Sequence, residues 1–293
     1  MHRRLVSLFF SAVLVSWLGA GALLCERTLR VPRKTDPQIF HDRDPAYENV
    51  HIAAADGVVL RGSFLPAGKP NAACVLLLHG IADSRASALG FSGMFVEAGY
   101  SVLAIDSRAH GSSGGELVTY GLLERRDVLH WAEWLRSRGC PRLFGLGESL
   151  GGAILIQAAA QEPVFTAIVA ECPFSDLRTI AEDRVAQLLP GPRLFRRLAA
   201  DAAVASAFLY ARVRYGLDMR AVSPAVSAAR LTTPLLLIHG LKDTKTDPAH
   251  SLAIAAAGQT IEVWLVPGAG HTSAAAQAPV EFKTRVLGWF EFR

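Results

Sequence analysis

Polar and apolar positions along this chain fall into short continuous apolar runs separated by longer amphipathic stretches. The first run stands apart from the rest. From Leu5 to Leu24 no charged residue occurs. Such a run rises about 30 Å as a helix, the thickness of a bilayer core. Residues 1–30, with the basic start His2-Arg3-Arg4, therefore read as a membrane anchor. The rival reading is an export signal cut after Ala20-Gly21-Ala22, which would leave a secreted or periplasmic protein. Apolarity that continues through Leu23 and Leu24 favours the uncleaved single-pass anchor. A lipoprotein cut before Cys25 is disfavoured by the bulk of Leu24. Arg3 and Arg4 precede the run, and Arg27, Arg30, Arg33 and Lys34 follow it, so the basic flanks do not orient it.

Residues 31–45 hold three prolines and many charges and read as an exposed linker. The remaining segment, 46–293, reads as one domain. Asn49–Ala54 and Val58–Leu65 alternate around Asp56-Gly57, as a hairpin does. A continuous apolar run of strand length follows at Cys74–Leu78, and largely apolar stretches read as further strands at Ser101–Ile105, Arg142–Leu146, Phe165–Ala170, Leu235–Ile238 and Ile261–Val266. Helical patterns separate them, near 86–98, 122–138, 152–161, 249–257 and 280–290. Strands that are apolar throughout belong in a sheet covered on both faces. The alternation predicts an α/β fold with a mostly parallel, doubly wound sheet and its chemistry at the carboxyl ends of the strands. The rhythm fails once, over about 176–219, where helical stretches rich in Ala, Leu and Arg break at Pro190-Gly191-Pro192. That insertion reads as a small helical cap.

Composition narrows the picture. A chain of 293 residues that is 51% hydrophobic supports one sizeable core with a small cap. Net charge is only +4, with no basic stripe interleaved with aromatics, so nucleic acid is not an expected partner. Cys25, Cys74, Cys140 and Cys172 are widely spaced without a C-x-x-C pattern. Neither a zinc site nor a disulfide framework is expected, and Cys74, Cys140 and Cys172 read as small buried fillers.

The chemistry centres on Gly147-Glu148-Ser149-Leu150-Gly151, a G-x-S-x-G between a buried strand and an Ala-rich helix. A serine there sits on a sharp turn with its hydroxyl exposed, and glycines are needed where side chains would strike neighbouring backbone. Asp243 and His271 also follow strand ends, giving the order Ser, acid, His. Ser149 would attack a carbonyl carbon. His271 would take its proton and return it to the leaving group, and Asp243 would hold the His271 tautomer. The N–H groups of Leu150 and Ile81 would receive the oxyanion. Two other carboxylates follow strand ends. Asp247 precedes Pro248 and Asp176 opens the cap; each has an alternative job as a helix cap. Glu148 and Glu171 read as satisfied or solvated carboxylates that could tune the site.

Taken together these motifs resemble the α/β-hydrolase superfamily over about Tyr47 to Arg293. They are most similar to the branch with monoglyceride-lipase-like, serine-aminopeptidase-like and membrane-anchored depalmitoylase-like members. His79-Gly80-Ile81 matches the oxyanion strand end, and Asp106-Ser107-Arg108-Ala109-His110-Gly111-Ser112-Ser113-Gly114 the D-x-R-x-H-G-x-S-x-G loop. His239-Gly240-Leu241-Lys242-Asp243 matches the acid strand, and Gly270-His271 the base loop. The resemblance implies an eight-stranded sheet and serine hydrolase chemistry with no cofactor or metal, with His79, His110 and His239 as packing residues. Members often carry Val-Pro after the acid where this chain has Asp247-Pro248, which keeps Asp247 open as the acid. The expected protein is a membrane-anchored serine hydrolase acting on an ester or thioester of a hydrophobic, lipid-like substrate. A peptidase or amidase of the same mechanism and a catalytically silent binding protein are the alternatives.

Overall fold

The computed structural model describes residues 2–34 and 47–293; within the first helix, side chains are described for Val15 and from Trp17 onward. The chain divides into two compact units.

The larger unit comprises Val31–Ser175 and Ser223–Arg293. Its strands are β1 (Glu48–Ala53), β2 (Val59–Leu65), β3 (Cys74–Leu78), β4 (Ser101–Asp106), β5 (Leu143–Glu148), β6 (Ala167–Glu171), β7 (Leu235–Gly240) and β8 (Ile261–Val266). They form one eight-stranded sheet in the order β1-β2-β4-β3-β5-β6-β7-β8. β2 runs antiparallel to both of its neighbours, β1 and β4, and every pairing from β4 to β8 is parallel. The sheet matches the expected architecture. The chain leaves β3 for β4 on one side and leaves β5 for β6 on the other. This reversal opens a crevice beyond the carboxyl ends of β3 and β5, where doubly wound sheets place their chemistry.

Among the described residues the helices are α1 (His2–Leu29), α2 (Arg85–Ala88), α3 (Ser92–Glu97), α4 (Glu124–Ser137), α5 (Leu150–Gln161), α6 (Leu177–Leu188), α7 (Arg193–Tyr215), α8 (Pro224–Ala228), α9 (Ala249–Ala257), α10 (Ala274–Gln277) and α11 (Pro279–Glu291). The single helix expected over 86–98 is split into α2 and α3 by a 3-10 turn at Leu89–Phe91; Gly90 within the turn and Gly93 just beyond it weaken a continuous helix. β3, β4, β6 and β7 are buried along their whole length, as doubly covered strands must be. Beneath one face, Phe95, Tyr100, Phe144 and Phe290 interlock, with the Phe144 and Phe290 rings stacked at 4.6 Å.

The cysteine reading is corrected here. Cys74 and Cys140 are joined in a disulfide with Cα atoms 5.7 Å apart. They are 66 residues apart in sequence. However, Cys74 opens β3 in register with Leu143 of β5, and Cys140 sits in the turn leading into β5. Strand adjacency, which spacing does not reveal, brings the two sulfurs together. Cys25 and Cys172 are free and buried.

The second unit holds α1 with Asp176–Val222. α1 runs parallel to α7. Trp17 Nε1 donates to the Ala202 carbonyl at 2.8 Å, and Ser206 Oγ donates to the Trp17 carbonyl at 3.2 Å. A Cβ on Gly21 would meet Ser206 Oγ at 2.1 Å, so glycine is what lets the helices approach this closely. Further along, the Glu26 carboxylate accepts from the Tyr210 hydroxyl at 3.0 Å and from the Tyr215 hydroxyl. Gly216, in the left-handed conformation at φ 70°, ends α7. Among the described residues, no helix is long and apolar enough to cross a membrane. Most side chains of the Leu5–Leu24 run lie outside the described residues, and the linker expected over 31–45 does so from residue 35 onward.

Candidate active site

β5 delivers Ser149 to the crevice and α5 leaves immediately after it. Ser149 has φ 50° and ψ −111°, a conformation that costs energy for a side-chain-bearing residue. The turn is held by backbone: the Ser149 N–H donates to the Glu171 carbonyl at 2.7 Å. Close packing explains its glycines. A Cβ on Gly147 would lie 2.5 Å from the Gly151 carbonyl carbon, and one on Gly151 would lie 2.6 Å from the Leu78 carbonyl oxygen.

His271 lies in the loop after β8. Its Nε2 is 2.9 Å from Ser149 Oγ, and its Nδ1 is 2.6 Å from Asp243 Oδ2. A carboxylate can only accept, so Nδ1 carries the proton and Nε2 is left to accept the Ser149 hydroxyl proton. Asp243 Oδ1 accepts from the Lys245 and Thr246 amides at 2.8 and 2.9 Å. Burial pushes the Asp243 carboxyl up, but His239, His271 and the Thr246 amide outweigh it and hold the group well below the usual carboxylate range.

The other candidate acids are occupied elsewhere. Asp247 accepts from the Ala249 amide at the start of α9. Asp176 caps α6, accepting from the Arg178 and Thr179 amides.

The expected oxyanion donors come from two elements. Leu150 opens α5, where the first-turn N–H groups have no partner inside the helix. Ile81 follows His79-Gly80 at the end of β3. A Cβ on Gly80 would stand 3.6 Å from Ser149 Cβ, so this loop passes directly beside the serine. Asp83 in the same loop pairs with Lys34 at 2.8 Å, and Arg33 donates to the Ser113 and Gly115 carbonyls. The residues that follow α1 thus brace both loops; composition does not disclose that role.

The histidines expected to pack do so. His79 Nε2 accepts from the Ser107 amide at 3.1 Å while Nδ1–H donates to the Gly80 carbonyl. Burial and the neighbouring His110 press its pKa down to about 4, so it stays neutral. His239 Nε2–H donates to the Thr246 carbonyl, and its Nδ1 accepts from Ser251. Around Asp106, the Arg85 amide and guanidinium and the Ser112 amide converge at 2.7–2.9 Å. Arg108 is bidentate to Asp127 and reaches Asp56.

Glu171 differs from its sequence reading as a satisfied or solvated group. It is fully buried; one oxygen accepts from the Ala274 amide at 2.9 Å, three residues past His271, and the other has no partner. Burial raises it to about 7. Burial, with Glu171 and Asp83 nearby, raises the half-buried Glu148 to about 8. Cys172, His239 and Asp243 present donor atoms within 4.8 Å of one another. Both His239 nitrogens and Asp243 Oδ2 are already hydrogen-bonded, and burial keeps the Cys172 thiol protonated, so the cluster does not suit a metal.

Sheet order and site geometry together define an α/β-hydrolase. Residues 91–292 match the model of the prolyl oligopeptidase family, and the chain belongs to that family. It is 27% identical to the uncharacterized protein YqkD of Bacillus subtilis over 255 residues, 81% of each chain. It is 28% identical to the monoacylglycerol lipase of Mycolicibacterium smegmatis over 230 residues, 67% of this chain and 80% of that one. Among solved structures, the Pyrococcus furiosus esterase Pf2001 superposes with a TM-score of 0.71 at 23% identity, covering 90% of this chain and 98% of that chain; at this identity the likeness speaks to fold.

Proposed function

We propose that the protein is a membrane-associated serine hydrolase that cleaves a carboxylic ester or thioester of a hydrophobic substrate through an acyl-enzyme. The observation that carries this reading is the continuous chain Ser149 Oγ, His271 Nε2, His271 Nδ1, Asp243 Oδ2, with links of 2.9 and 2.6 Å. As Ser149 attacks the carbonyl carbon, its proton passes to His271, and Asp243 stabilises the imidazolium. The oxyanion is met by the Leu150 and Ile81 amides. His271 protonates the departing alcohol or thiol. It then deprotonates a water that attacks the acyl-serine and regenerates the enzyme.

The exposed apolar side chains of Ile81 and Leu241, beside Gly80 and two residues before Asp243, favour an apolar substrate. So does the likeness to a monoacylglycerol lipase. The Cys74–Cys140 disulfide favours a hydrolase domain on the oxidising side of the membrane. A peptidase of the same mechanism is the second reading, favoured by the prolyl oligopeptidase family match. Labelling with a fluorophosphonate probe, competed by a panel of esters, thioesters and aminoacyl amides, separates the two. Ester or thioester competition is expected; competition by the amides alone would assign the peptidase.

A further inference from the structure

The pair α1–α7 carries a surface that the chemistry above does not use. Along α7, Leu194, Leu198, Ala202, Ala205, Leu209 and Val213 recur at intervals of four and three, which places them on one helix face. Leu194, Leu198, Leu209 and Val213 are 72, 63, 47 and 78% exposed, and Phe195 beside them is also open. The adjoining helix adds exposed Val15, Leu18 and Leu23, with no charge between residues 15 and 24. Open apolar surface of this extent marks an interaction site.

The charges name the partner. α7 carries Arg193, Arg196, Arg197, Arg212 and Arg214 against a single acid, Asp201. That acid pairs with Arg178, and Arg197 reaches Asp183 at 3.7 Å. The arginines cluster at both ends of the helix, where they are interleaved with the ends of the apolar stripe. This is the pattern of a helix lying in a membrane surface, its stripe among acyl chains and its guanidinium groups at the phosphates.

The same packing argues against a spanning α1. Contacts run from Trp17 with Ala202, through Gly21 with Ser206, to Glu26 with Tyr210. The helices are therefore parallel, and α7 continues from Ala202 toward Arg193 in the direction that α1 continues toward its start. A bilayer-crossing α1 would take Arg193, Arg196, Arg197 and Asp201 toward hydrocarbon, where charge is costly.

We propose that α1 and α7 together form a monotopic docking element that lies in the plane of an anionic phospholipid surface, with neither helix crossing it. This rests on the membrane-associated reading above and is the alternative to the single-pass anchor expected from the apolar run.

The test uses the full-length protein, purified in detergent and mixed with preformed phosphatidylcholine vesicles, with or without phosphatidylglycerol. Flotation should show about tenfold or tighter binding to the anionic vesicles, weakened by added salt. The variant Leu194→Ser/Leu198→Ser/Leu209→Ser/Val213→Ser, altered only at exposed positions, should lose most of that binding with an unchanged Tm. Arg193→Gln/Arg212→Gln should lose the preference for phosphatidylglycerol. In protein inserted into vesicles, a protease added outside should remove an N-terminal tag from molecules whose Ser149 is labelled from outside. A tag protected while Ser149 is labelled would overturn the docking proposal in favour of a spanning helix, leaving the membrane reading intact. Absence of binding to either vesicle would overturn both. A dimer that the serine variant converts to monomer, with vesicle binding unchanged, would make the stripe a contact between copies and overturn the proposal.

Discussion

Asp243 holds His271 from a carboxylate fixed on both oxygens: Oδ2 lies 2.6 Å from His271 Nδ1, and Oδ1 accepts two backbone amides. An acid anchored in this way dictates one imidazole tautomer. Asp243→Asn should therefore lower kcat by about 10⁴ while the fold survives. Asp247→Asn should stay within about twofold, since Asn accepts the Ala249 amide equally well. Steady-state kinetics on a short p-nitrophenyl ester checks both, and a crippled Asp247→Asn beside a near-normal Asp243→Asn would exchange the two roles.

Ser149→Ala should abolish covalent fluorophosphonate labelling and lower ester hydrolysis by at least about 10³-fold, because members of such a triad act as a unit. Intact-protein mass spectrometry reads the adduct. Labelling that persists in the variant would place the nucleophile elsewhere.

Glu171 should make stability depend on pH. Its folded pKa is raised to about 7, above the unfolded value of about 4.3. Between these values the folded chain binds more protons than the unfolded one, so stability falls as pH rises across that window. Glu171→Gln, which keeps an acceptor for the Ala274 amide, should flatten this slope in urea titrations at pH 5 and pH 7. Asp243 acts in the opposite sense. Its lowered pKa stabilises the fold above about pH 4, and that contribution is lost as pH falls further. An unchanged slope in Glu171→Gln would assign the pH dependence to Glu148 or another group.

The Cys74–Cys140 bond closes a loop of 66 residues. The chain-entropy model assigns such a loop about 4 kcal/mol, so reduction should lower Tm by several degrees. Alkylation of the unreduced, denatured protein should modify two thiols per chain, those of Cys25 and Cys172. Modification of four would mean that the bond does not form in the compartment where the protein was made.

Much of this architecture is legible in the order of the residues. Runs such as Cys74–Leu78 and Leu235–Ile238 are apolar at every position and only four or five residues long, which is the pattern of a strand covered on both faces. The helical patterns between them force parallel crossovers, and hence place strand ends on one edge. Ser149, Asp243 and His271 stand out because each follows such a strand end. Gly147 and Gly151 are legible for a local reason, since a turn of that sharpness leaves no room for a Cβ.

What the chain order does not contain is lateral adjacency. That β3 lies beside β5 is a property of the sheet, and it alone brings Cys74 to Cys140 across 66 residues. By its place in the sequence Glu171 reads as satisfied or solvated; packing leaves one of its oxygens buried and unpaired. Three carboxylates were open as partners for His271. Local backbone occupies Asp176 and Asp247 as caps, while the loops after β7 and β8 bring Asp243 to hydrogen-bond distance. The pairing of α1 with α7 is the longest such relationship. Hydropathy alone reads an apolar N-terminal run as a span, because hydropathy scores one helix at a time. The tertiary structure sets an arginine-bearing helix beside it, a neighbour that no scan of the run contains, and the docking proposed above is argued from that neighbour's charges.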